Sequence, residues 1–291
     1  MAANHPNFLG LEGKLSDLET ARYAVLPAPF EATVSYKTGT AAGPIAVLDA
    51  STQVELFDEE LLGEYVAVGV ATLPIVHPAP TVEGEVERIR AAAEPIVAAG
   101  KFLLALGGEH SITPPLVALA AERHGEVSVL QIDAHADLRD AYEGTPHSHA
   151  CVMRRVLEIT PRICQVGIRS FSKEEYEACP QQAANFITPG IIAEDPNWID
   201  RALALLGETV YVTVDIDGLD PSVAPGTGTP EPNGLTWPQA TALLRRVCTE
   251  RRVVSADIVE VRPLGANHVT EFAAARLAYK IIAYTQLSRE A

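Results

Sequence analysis

Short runs of apolar, often β-branched residues alternate along the chain with longer stretches whose apolar residues recur at helical spacing. The apolar runs predict strands covered on both faces, because their apolar character is nearly continuous. These strands are Arg22–Pro27, Phe102–Leu106, Val127–Ile132, Arg162–Ile168, Thr209–Asp215 and Val253–Val261. The stretches between them predict helices at Val82–Ala99, Pro114–Arg123, Ala150–Glu158, Trp198–Leu206, Trp237–Thr249 and Glu271–Leu287.

The alternation of strand and helix indicates an α/β fold with a parallel sheet. A doubly wound three-layer sandwich and a (β/α)8 barrel both fit this pattern, and the number of visible strands favours the sandwich. No low-complexity tract, repeat or Ser/Gly linker divides the chain, so we expect one domain over residues 1–291. Pro95 lies inside the first long helix, where we expect a kink or a break.

The charge balance argues against anionic partners. The chain carries 22 basic and 38 acidic residues, a formal net charge of −16. A polyanion would meet a repulsive field, so nucleic acid and anionic membrane surfaces are poor partners, whereas cationic ligands suit the balance.

Cysteine usage and the absence of a leader indicate a cytoplasmic protein. Cys151, Cys164, Cys179 and Cys248 are widely spaced without a CxxC motif, so we expect four reduced, mostly buried thiols. The N-terminal MAANHPNFLGLEGKLS has no basic start followed by an apolar run, and so predicts no signal peptide. The longest apolar stretch, Tyr65–Val76, is too short to span a bilayer. We therefore expect a soluble, cytoplasmic chain.

Acidic residues and histidines follow the predicted strands at their carboxyl ends. FLLAL is followed by GGEHS, VSVLQI by DAHAD, and VYVTV by DIDGLDP, while VVSADIVEV carries Asp257 and Glu260 near its end. In a parallel sheet these positions share one edge, where α/β enzymes build their sites. Four separate strands thus deliver polar side chains to the same rim.

The spacing within these motifs points to metal. Asp133, His135 and Asp137 alternate with alanines, so an extended segment would direct all three side chains to one side, and Asp215 and Asp217 repeat this spacing. Buried carboxylates need a compensating cation, and of the basic residues only Arg139 is close in sequence. With His110, four Asp and two His carry more negative charge than one divalent ion would neutralise.

We therefore expect two divalent ions bridged by shared carboxylates and a water, which near neutral pH would be a hydroxide able to attack an electrophilic carbon. Oxygen-rich ligation with some imidazole and no thiolate favours Mn²⁺ over a structural Zn²⁺.

The motifs GGEHS, DAHAD, SHA and DIDGLDPSVAPGTGTPEP resemble those of the ureohydrolases, the arginases, agmatinases and their relatives, from about Val25 to Ile282. The resemblance implies a three-layer α/β/α sandwich, assembled as homotrimers or homohexamers, and two Mn²⁺ per chain. Carried over by motif, it implies that one ion is held by His110, Asp133, Asp137 and Asp215, and the second by His135, Asp133, Asp215 and Asp217.

The same resemblance implies roles around the metals. Glu260 corresponds to the glutamate that binds the guanidinium, for which a carboxylate is the natural bidentate partner. Asp137 corresponds to the proton carrier to the leaving amine, and His149 to a mobile histidine that moves protons to and from solvent. Thr229, in PGTGTP, corresponds to a threonine that lines the guanidinium pocket. The products would be urea and an amine.

The segment Leu138–Ser148 favours agmatine as the substrate. Arginases grip the α-amino and α-carboxyl groups with Asn and Ser here, whereas this segment has no Asn and resembles the shorter bacterial agmatinases. The reaction would then yield urea and putrescine, a step of polyamine synthesis. Three acidic residues near the entrance would either favour the distal ammonium of agmatine or be solvated: Asp140, Glu143 and Glu231. Arg139 instead suits a carboxylate-bearing substrate such as guanidinobutyrate.

Several alternatives stay open. A guanidinobutyrase or an arginase would keep the same chemistry with another substrate. A single-zinc amidohydrolase would need only three protein ligands and an open position, and the six candidate ligands count against it. A catalytically silent binding protein with a decayed site would show lost ligands, whereas here all six positions are filled.

Overall fold

The computed structural model describes residues 5–79 and 81–287, so the two ends of the predicted 1–291 domain lie outside the described residues. Within this part the strands are β1 Tyr23–Ala28, β2 Phe57–Asp58, β3 Gly63–Glu64, β4 Val70–Thr72, β5 Phe102–Gly107, β6 Ser128–Ile132, β7 Ile163–Val166, β8 Thr209–Asp215 and β9 Arg252–Val259. Seven of them form a sheet in the order β4-β1-β5-β9-β8-β6-β7. All its neighbouring strands pair in parallel, while β2 and β3 form a separate antiparallel pair.

The α-helices of the described residues are α1 Gly43–Ser51, α2 Val82–Ala98, α3 Thr113–His124, α4 Val152–Leu157, α5 Lys173–Ala178, α6 Pro180–Ala183, α7 Pro189–Glu194, α8 Trp198–Leu205, α9 Trp237–Glu250 and α10 Val269–Leu287. None of the helices in the described ranges is long and apolar enough to cross a membrane.

Alternate residues along the strands face opposite layers. Tyr23 and Val25 of β1 pack on the side of α1, α8, α9 and α10, whereas Ala24 and Leu26 pack on the side of α2, α3 and α4. Both faces are buried, which explains the nearly continuous apolar character of the strands. Since β4 and β7 are edges of the described sheet, the sheet is open. The three-layer sandwich is confirmed and the barrel is excluded.

The predicted elements are all present, β8 with the predicted ends and the others with shifted ends, and several short elements were missed. The strand β4, the β2–β3 pair and the short helices α5 to α7 are two to six residues long, too short for a periodic pattern to appear. Helix α2 continues through Pro95 to Ala98, so the expected break is wrong. Pro95 lies in the last turn, where losing one backbone hydrogen bond interrupts little of the helix.

The strand order places the polar motifs of the candidate site at the middle of the sheet. The four strands that precede the polar motifs are contiguous, in the order β5-β9-β8-β6. Their registers align Leu106 with Ile258, Asp215 with Val259, and Ile132 with Val214. The residues that follow these strands therefore emerge at one level of the same edge. The four cysteines, all in the described part, are buried and form no disulfide, as expected.

Candidate metal centre and substrate pocket

Two overlapping groups of ligand atoms lie at this edge, one of them built on His110. Its Nδ1 is 3.1 Å from Asp137 Oδ2, 3.2 Å from Asp133 Oδ2 and 3.5 Å from Asp215 Oδ2. The other is built on His135, whose Nδ1 is 3.1 Å from Asp217 Oδ2 and 3.6 Å from Asp133 Oδ1. Asp133 thus offers one oxygen to each group. The structure brings all six predicted ligands together.

The carboxylates of this cluster are held close together in a buried environment. Burial, and next the charge of Asp133, raises the pKa of Asp137 to about 7. Burial and the neighbouring Asp217 likewise raise the pKa of Asp215 well above its usual value. Burial acts in the same direction on Asp133, but His110 and His135 outweigh it and lower its pKa. The two histidines therefore neutralise only part of the cluster, and a cation is needed for the rest.

The donor atoms fit a divalent cation. His110 Nδ1 is buried and has no hydrogen-bond partner among the described residues, although three carboxylates surround it. A buried polar atom without a partner is costly, and a metal ion between it and the carboxylates would remove that cost. Carboxylate oxygens and imidazole nitrogens without thiolate are the ligands that Mn²⁺ accepts.

The other face of His110 is held by a buried network. His110 Nε2 lies 2.9 Å from Thr213 Oγ1, and the Thr213 hydroxyl donates to Asp257 Oδ1 at 2.6 Å. Asp257 Oδ2 also accepts hydrogen bonds from the hydroxyls of Tyr211 and Thr113. Asp257 therefore lies behind a candidate ligand and contacts it through Thr213.

Two of the predicted catalytic residues have an unusual backbone. Asp137 and Glu260 have φ values of 53° and 62°, in the left-handed region that side-chain-bearing residues rarely adopt. The strained backbone of Glu260 is held by surrounding contacts, since Glu260 N donates to Gly108 O at 2.8 Å and Glu260 Oε1 accepts from His110 N at 2.7 Å. Such conformations cluster at functional sites.

Gly108 is required by close approach. An added Cβ would lie 1.9 Å from Phe30 O, while Gly108 has no positive φ. Two glycines directly after a strand would suggest a turn, but at Gly108 the need is for space and not for an unusual backbone conformation. The absence of a side chain allows residues 28–30 to pass directly over the end of β5.

A cavity of about 280 Å³ opens above the ligand cluster. Asp137, His149, Thr229 and Glu260 all line it. Glu260 is 8% exposed, and burial followed by the nearby Glu109 charge raises the pKa of Glu260 well above its usual value. The Thr229 hydroxyl donates to Asp217 Oδ2 at 3.3 Å. A positively charged planar group entering this cavity would meet Glu260 beside the metal ligands.

Comparison with known proteins identifies the chain's family. The arginase family profile matches residues 21–283. The chain belongs to the arginase family. An N(1)-aminopropylagmatine ureohydrolase of Synechocystis is 40% identical over 273 residues, 91% of this chain and 89% of that protein. An agmatinase of Bacillus anthracis is 32% identical, covering 90% of this chain and 87% of its own.

The fold of this arginase-family chain matches a solved relative. The agmatine ureohydrolase of Thermoplasma volcanium superposes with a TM-score of 0.87 at 32% identity, over 95% of this chain and 94% of that one. The chain is thus a ureohydrolase, a hydrolase of the C–N bonds of guanidino compounds. This assignment excludes two alternatives that the sequence left open, the single-zinc amidohydrolase and the catalytically silent binding protein.

The structure shows how the charged residues predicted for the pocket mouth of this ureohydrolase are engaged. Asp140, expected either to favour a distal ammonium or to be solvated, is 80% exposed at its side chain and pairs with Arg155 at 2.8 Å. Arg139 lines the cavity, with its guanidinium 5.0 Å from the Tyr142 ring centroid and 3.8 Å from Glu175 Oε2. Glu175 is the buried acid at this wall, and sequence reasoning missed it because it follows a different strand, β7.

Sequence reasoning also missed Thr33 and Glu109, which contact the predicted shuttle. The Thr33 hydroxyl oxygen is 3.2 Å from His149 Nδ1, and the same hydroxyl donates to Glu109 Oε1 at 2.7 Å. Glu109 stands next to His110 in GGEHS, so its position after a strand was a usable signal. Thr33 is 116 residues from His149, and no local pattern marks it.

Proposed function

We propose that this ureohydrolase cleaves the guanidino group of a linear polyamine precursor to urea and the corresponding amine, with N(1)-aminopropylagmatine as the substrate supported best. The observation that carries the proposal is Glu260, a buried carboxylate in a strained conformation beside the ligand cluster at the floor of the cavity. A guanidinium is the planar cation that such a carboxylate binds with two hydrogen bonds.

The cofactor proposed is a pair of Mn²⁺ ions. His110, Asp133, Asp137 and Asp215 would hold one ion, and His135, Asp133, Asp215 and Asp217 the other. When bound, the pair supplies a nucleophile at neutral pH by lowering the pKa of a water. The two groups of ligand atoms that share Asp133 support this assignment.

The chain's own residues orient the substrate and move the protons. Glu260 and Thr229 bind the guanidinium from two sides of the cavity. Asp137 carries a proton to the departing amine nitrogen, a role supported by its position in the cavity wall beside the other candidate ligands. His149 lines the cavity toward solvent and exchanges that proton with bulk water.

The choice of substrate rests on the relatives and on the pocket mouth. The Synechocystis relative at 40% identity is named for aminopropylagmatine, while the Bacillus agmatinase is 32% identical. Phe171 lines the outer cavity and is 42% exposed, and an aromatic face attracts the ammonium groups of a long polyamine. Agmatine, the substrate that the sequence favours, is the second candidate, because it presents the same guanidino group on a shorter amine.

Arginine and guanidinobutyrate fit this pocket less well. Both carry a carboxylate that would need an available cation. Arg139, on which the sequence based that alternative, is stacked on Tyr142 and close to Glu175, and Lys37 is stacked on Tyr36 at 4.8 Å. Glu175 also competes with a substrate carboxylate for Arg139.

The quaternary structure proposed is a homotrimer or homohexamer. An exposed groove lined by Val223, Trp237, Val269 and Phe272 supports association between copies, with Val269 51% and Phe272 42% exposed. Cytoplasmic localisation stays a prediction.

The test is urea release by the Mn²⁺-loaded enzyme from N(1)-aminopropylagmatine, agmatine, guanidinobutyrate and arginine side by side. We expect the highest kcat/KM with N(1)-aminopropylagmatine, a lower value with agmatine, and loss of all activity on chelation. A higher kcat/KM with agmatine would support agmatine as the substrate, as the sequence predicts. Preference for guanidinobutyrate or arginine would contradict the polyamine assignment, and no urea from any of them would contradict the proposed function.

A further inference from the structure

The loop of residues 29–39 forms one wall of the cavity, and two carboxylates fix it. Val34, Ser35, Tyr36 and Lys37 line the cavity. Glu31 Oε2 closes the loop by accepting the backbone N–H groups of residues 39 and 41 at 2.7 and 3.0 Å. The start of the loop is therefore tied to its end by a charge-assisted pair of hydrogen bonds.

Glu109 ties the same loop to the end of β5. Its Oε2 accepts hydrogen bonds from Ala32 N at 2.6 Å and Thr33 N at 2.7 Å. Its Oε1 accepts from the hydroxyls of Thr33 at 2.7 Å and Ser111 at 2.6 Å. Four donors thus converge on one fully buried carboxylate. The hydroxyl hydrogen of Thr33 is used in this interaction.

Because its hydrogen goes to Glu109, the Thr33 oxygen acts toward His149 as an acceptor. It accepts the backbone N–H of His149 at 3.0 Å and lies 3.2 Å from His149 Nδ1. Nδ1 must then carry a hydrogen, since two lone pairs would otherwise face each other. Ser148 Oγ, 3.3 Å from Nδ1, accepts from Ala150 N and keeps its own hydrogen, so it is able to pair with either tautomer and Thr33 is the neighbour that selects between them.

With the hydrogen on Nδ1, the Nε2 atom of neutral His149 keeps its lone pair. Ser35 Oγ lies 3.4 Å from Nε2 and is able to donate to it. Thr33 and Ser35 are two residues apart in one segment, so the loop holds both ring nitrogens.

We propose that Thr33 is a positioning residue which, held by Glu109, fixes His149 in the tautomer with hydrogen on Nδ1 and so leaves Nε2 to exchange the catalytic proton. This inference rests on the proposed function, since it assigns how the proposed proton shuttle is oriented. Within the described residues, the Thr33 hydroxyl hydrogen-bonds to Glu109 and to the backbone N–H and imidazole of His149, and none of these groups is a candidate metal ligand or the guanidinium carboxylate. The contact between this loop and His149 thus determines which ring nitrogen exchanges the proton.

The test uses Thr33→Val in the Mn²⁺-loaded enzyme, with Thr33→Ser as the conservative variant. Since general acid–base groups typically contribute about 10²- to 10⁴-fold, we expect Thr33→Val to lower kcat by about tenfold or more. KM should change little and Thr33→Ser should restore the rate. Thr38→Val, the same substitution at an exposed position of the same loop, is the matched control and should keep the wild-type rate.

A double-mutant cycle separates positioning from a general structural role. In a His149→Asn background, Thr33→Val should cost almost nothing further, because Thr33 acts through the imidazole. A loss of the same size in both backgrounds, or a wild-type kcat for Thr33→Val, would overturn the proposal. If the wild-type enzyme itself released no urea, the proposed function would fail instead, and the two failures are distinguishable.

A spectroscopic measurement is independent of turnover. Nitrogen-15 NMR of histidine-labelled, Zn²⁺-loaded protein at pH 8, assigned with the His149→Asn variant, should show hydrogen on Nδ1 and a bare Nε2. Thr33→Val should weaken that preference, and Thr33→Ser should keep it. Finding the hydrogen of His149 on Nε2 in the wild-type protein would overturn the proposal.

Discussion

The Thr213 hydroxyl donates a 2.6 Å hydrogen bond to Asp257, and this bond determines which nitrogen of His110 faces the candidate metal centre. Because the Thr213 hydrogen is used there, its oxygen accepts from His110 Nε2 at 2.9 Å. His110 Nδ1 points at three carboxylates and is then the nitrogen left to bind a metal ion. A bare nitrogen in that position is the form of imidazole that binds a metal ion.

Replacing Thr213 should weaken metal binding without removing a ligand. Outer groups that orient a metal-binding histidine typically contribute about 10- to 100-fold in metal affinity, so Thr213→Val should lower Mn²⁺ affinity by that order. Calorimetric titration of the metal-free protein with Mn²⁺ would measure it. Thr213→Ser keeps the hydroxyl and should retain the affinity. Equal affinity of Thr213→Val and wild type would show that the network does not orient His110.

Removing Asp133 should affect both metal positions together. Its two oxygens face different histidines, so Asp133→Ala should reduce the bound metal from two ions toward none, and abolish urea release. Elemental analysis after gel filtration would give the stoichiometry. Asp140→Ala is a matched control, because Asp140 is exposed and pairs with Arg155. Retention of one tightly bound ion by Asp133→Ala would contradict a shared ligand.

Glu260→Gln should separate substrate binding from metal binding. The substitution keeps the shape of the side chain but removes the charge that would pair with the guanidinium. Since an interaction of 3 kcal/mol corresponds to about 100-fold, kcat/KM should fall by about 100-fold or more, with two metal ions still bound. Steady-state kinetics and metal analysis on the same sample would check this. A loss of metal from Glu260→Gln would show that the carboxylate supports the metal centre instead.

A buried ion pair far from the pocket should control stability. Lys280 is 1% exposed on α10, and its Nζ lies 2.9 Å from Asp58 Oδ2, which is fully buried. Lys280→Met would leave that carboxylate without its cation and should cost about 3–5 kcal/mol at pH 7. Urea denaturation would measure it. Arg276→Met removes the half-buried partner of the exposed Glu59 and should cost less than about 1 kcal/mol.

The pH dependence of this pair has a definite sign. Burial alone would raise the pKa of Asp58, but Lys280 and the backbone N–H groups of residues 60 and 61 outweigh it and hold the pKa below its usual value. A depressed folded-state pKa contributes stability above the unfolded-state pKa, about 4, and this is lost as the pH falls through the folded value. The wild-type chain should therefore lose this contribution below about pH 4, as urea midpoints at several pH values would show. A Lys280→Met penalty that grows as the pH falls would contradict this assignment.

Local patterns predicted much of the fold and most of the site. The six long strands are present because each is a nearly continuous apolar run, and the ligands in DAHAD and DIDG come together because they follow neighbouring parallel strands. Such features depend on residues that are close together in the sequence, so the periodicity of apolar and polar positions predicts them. The three-residue strand β4 and the helix α1, with Pro44 at its start, lack a long enough pattern.

The residues that tune the site were not predictable in this way. Thr33 lies 116 residues from His149, and Thr213 lies 103 residues from His110. Each is an ordinary residue in its own segment and gains its role only from what packs against it. Arg139 is the opposite case. Its position in the sequence suggests that it binds a substrate carboxylate, but in the structure its guanidinium already contacts Tyr142 and Glu175.

The sequence by itself determined the alternation of strands and helices, the residue types at the strand ends, and hence the kind of chemistry. These follow from backbone periodicity and from the cost of burying carboxylates without a cation. The tertiary structure decided the strand order β5-β9-β8-β6 and the loop that meets His149, and with them the orientation of each imidazole. A hydrogen bond forms only at about 3 Å, and which distant hydroxyl reaches that distance depends on how the layers pack.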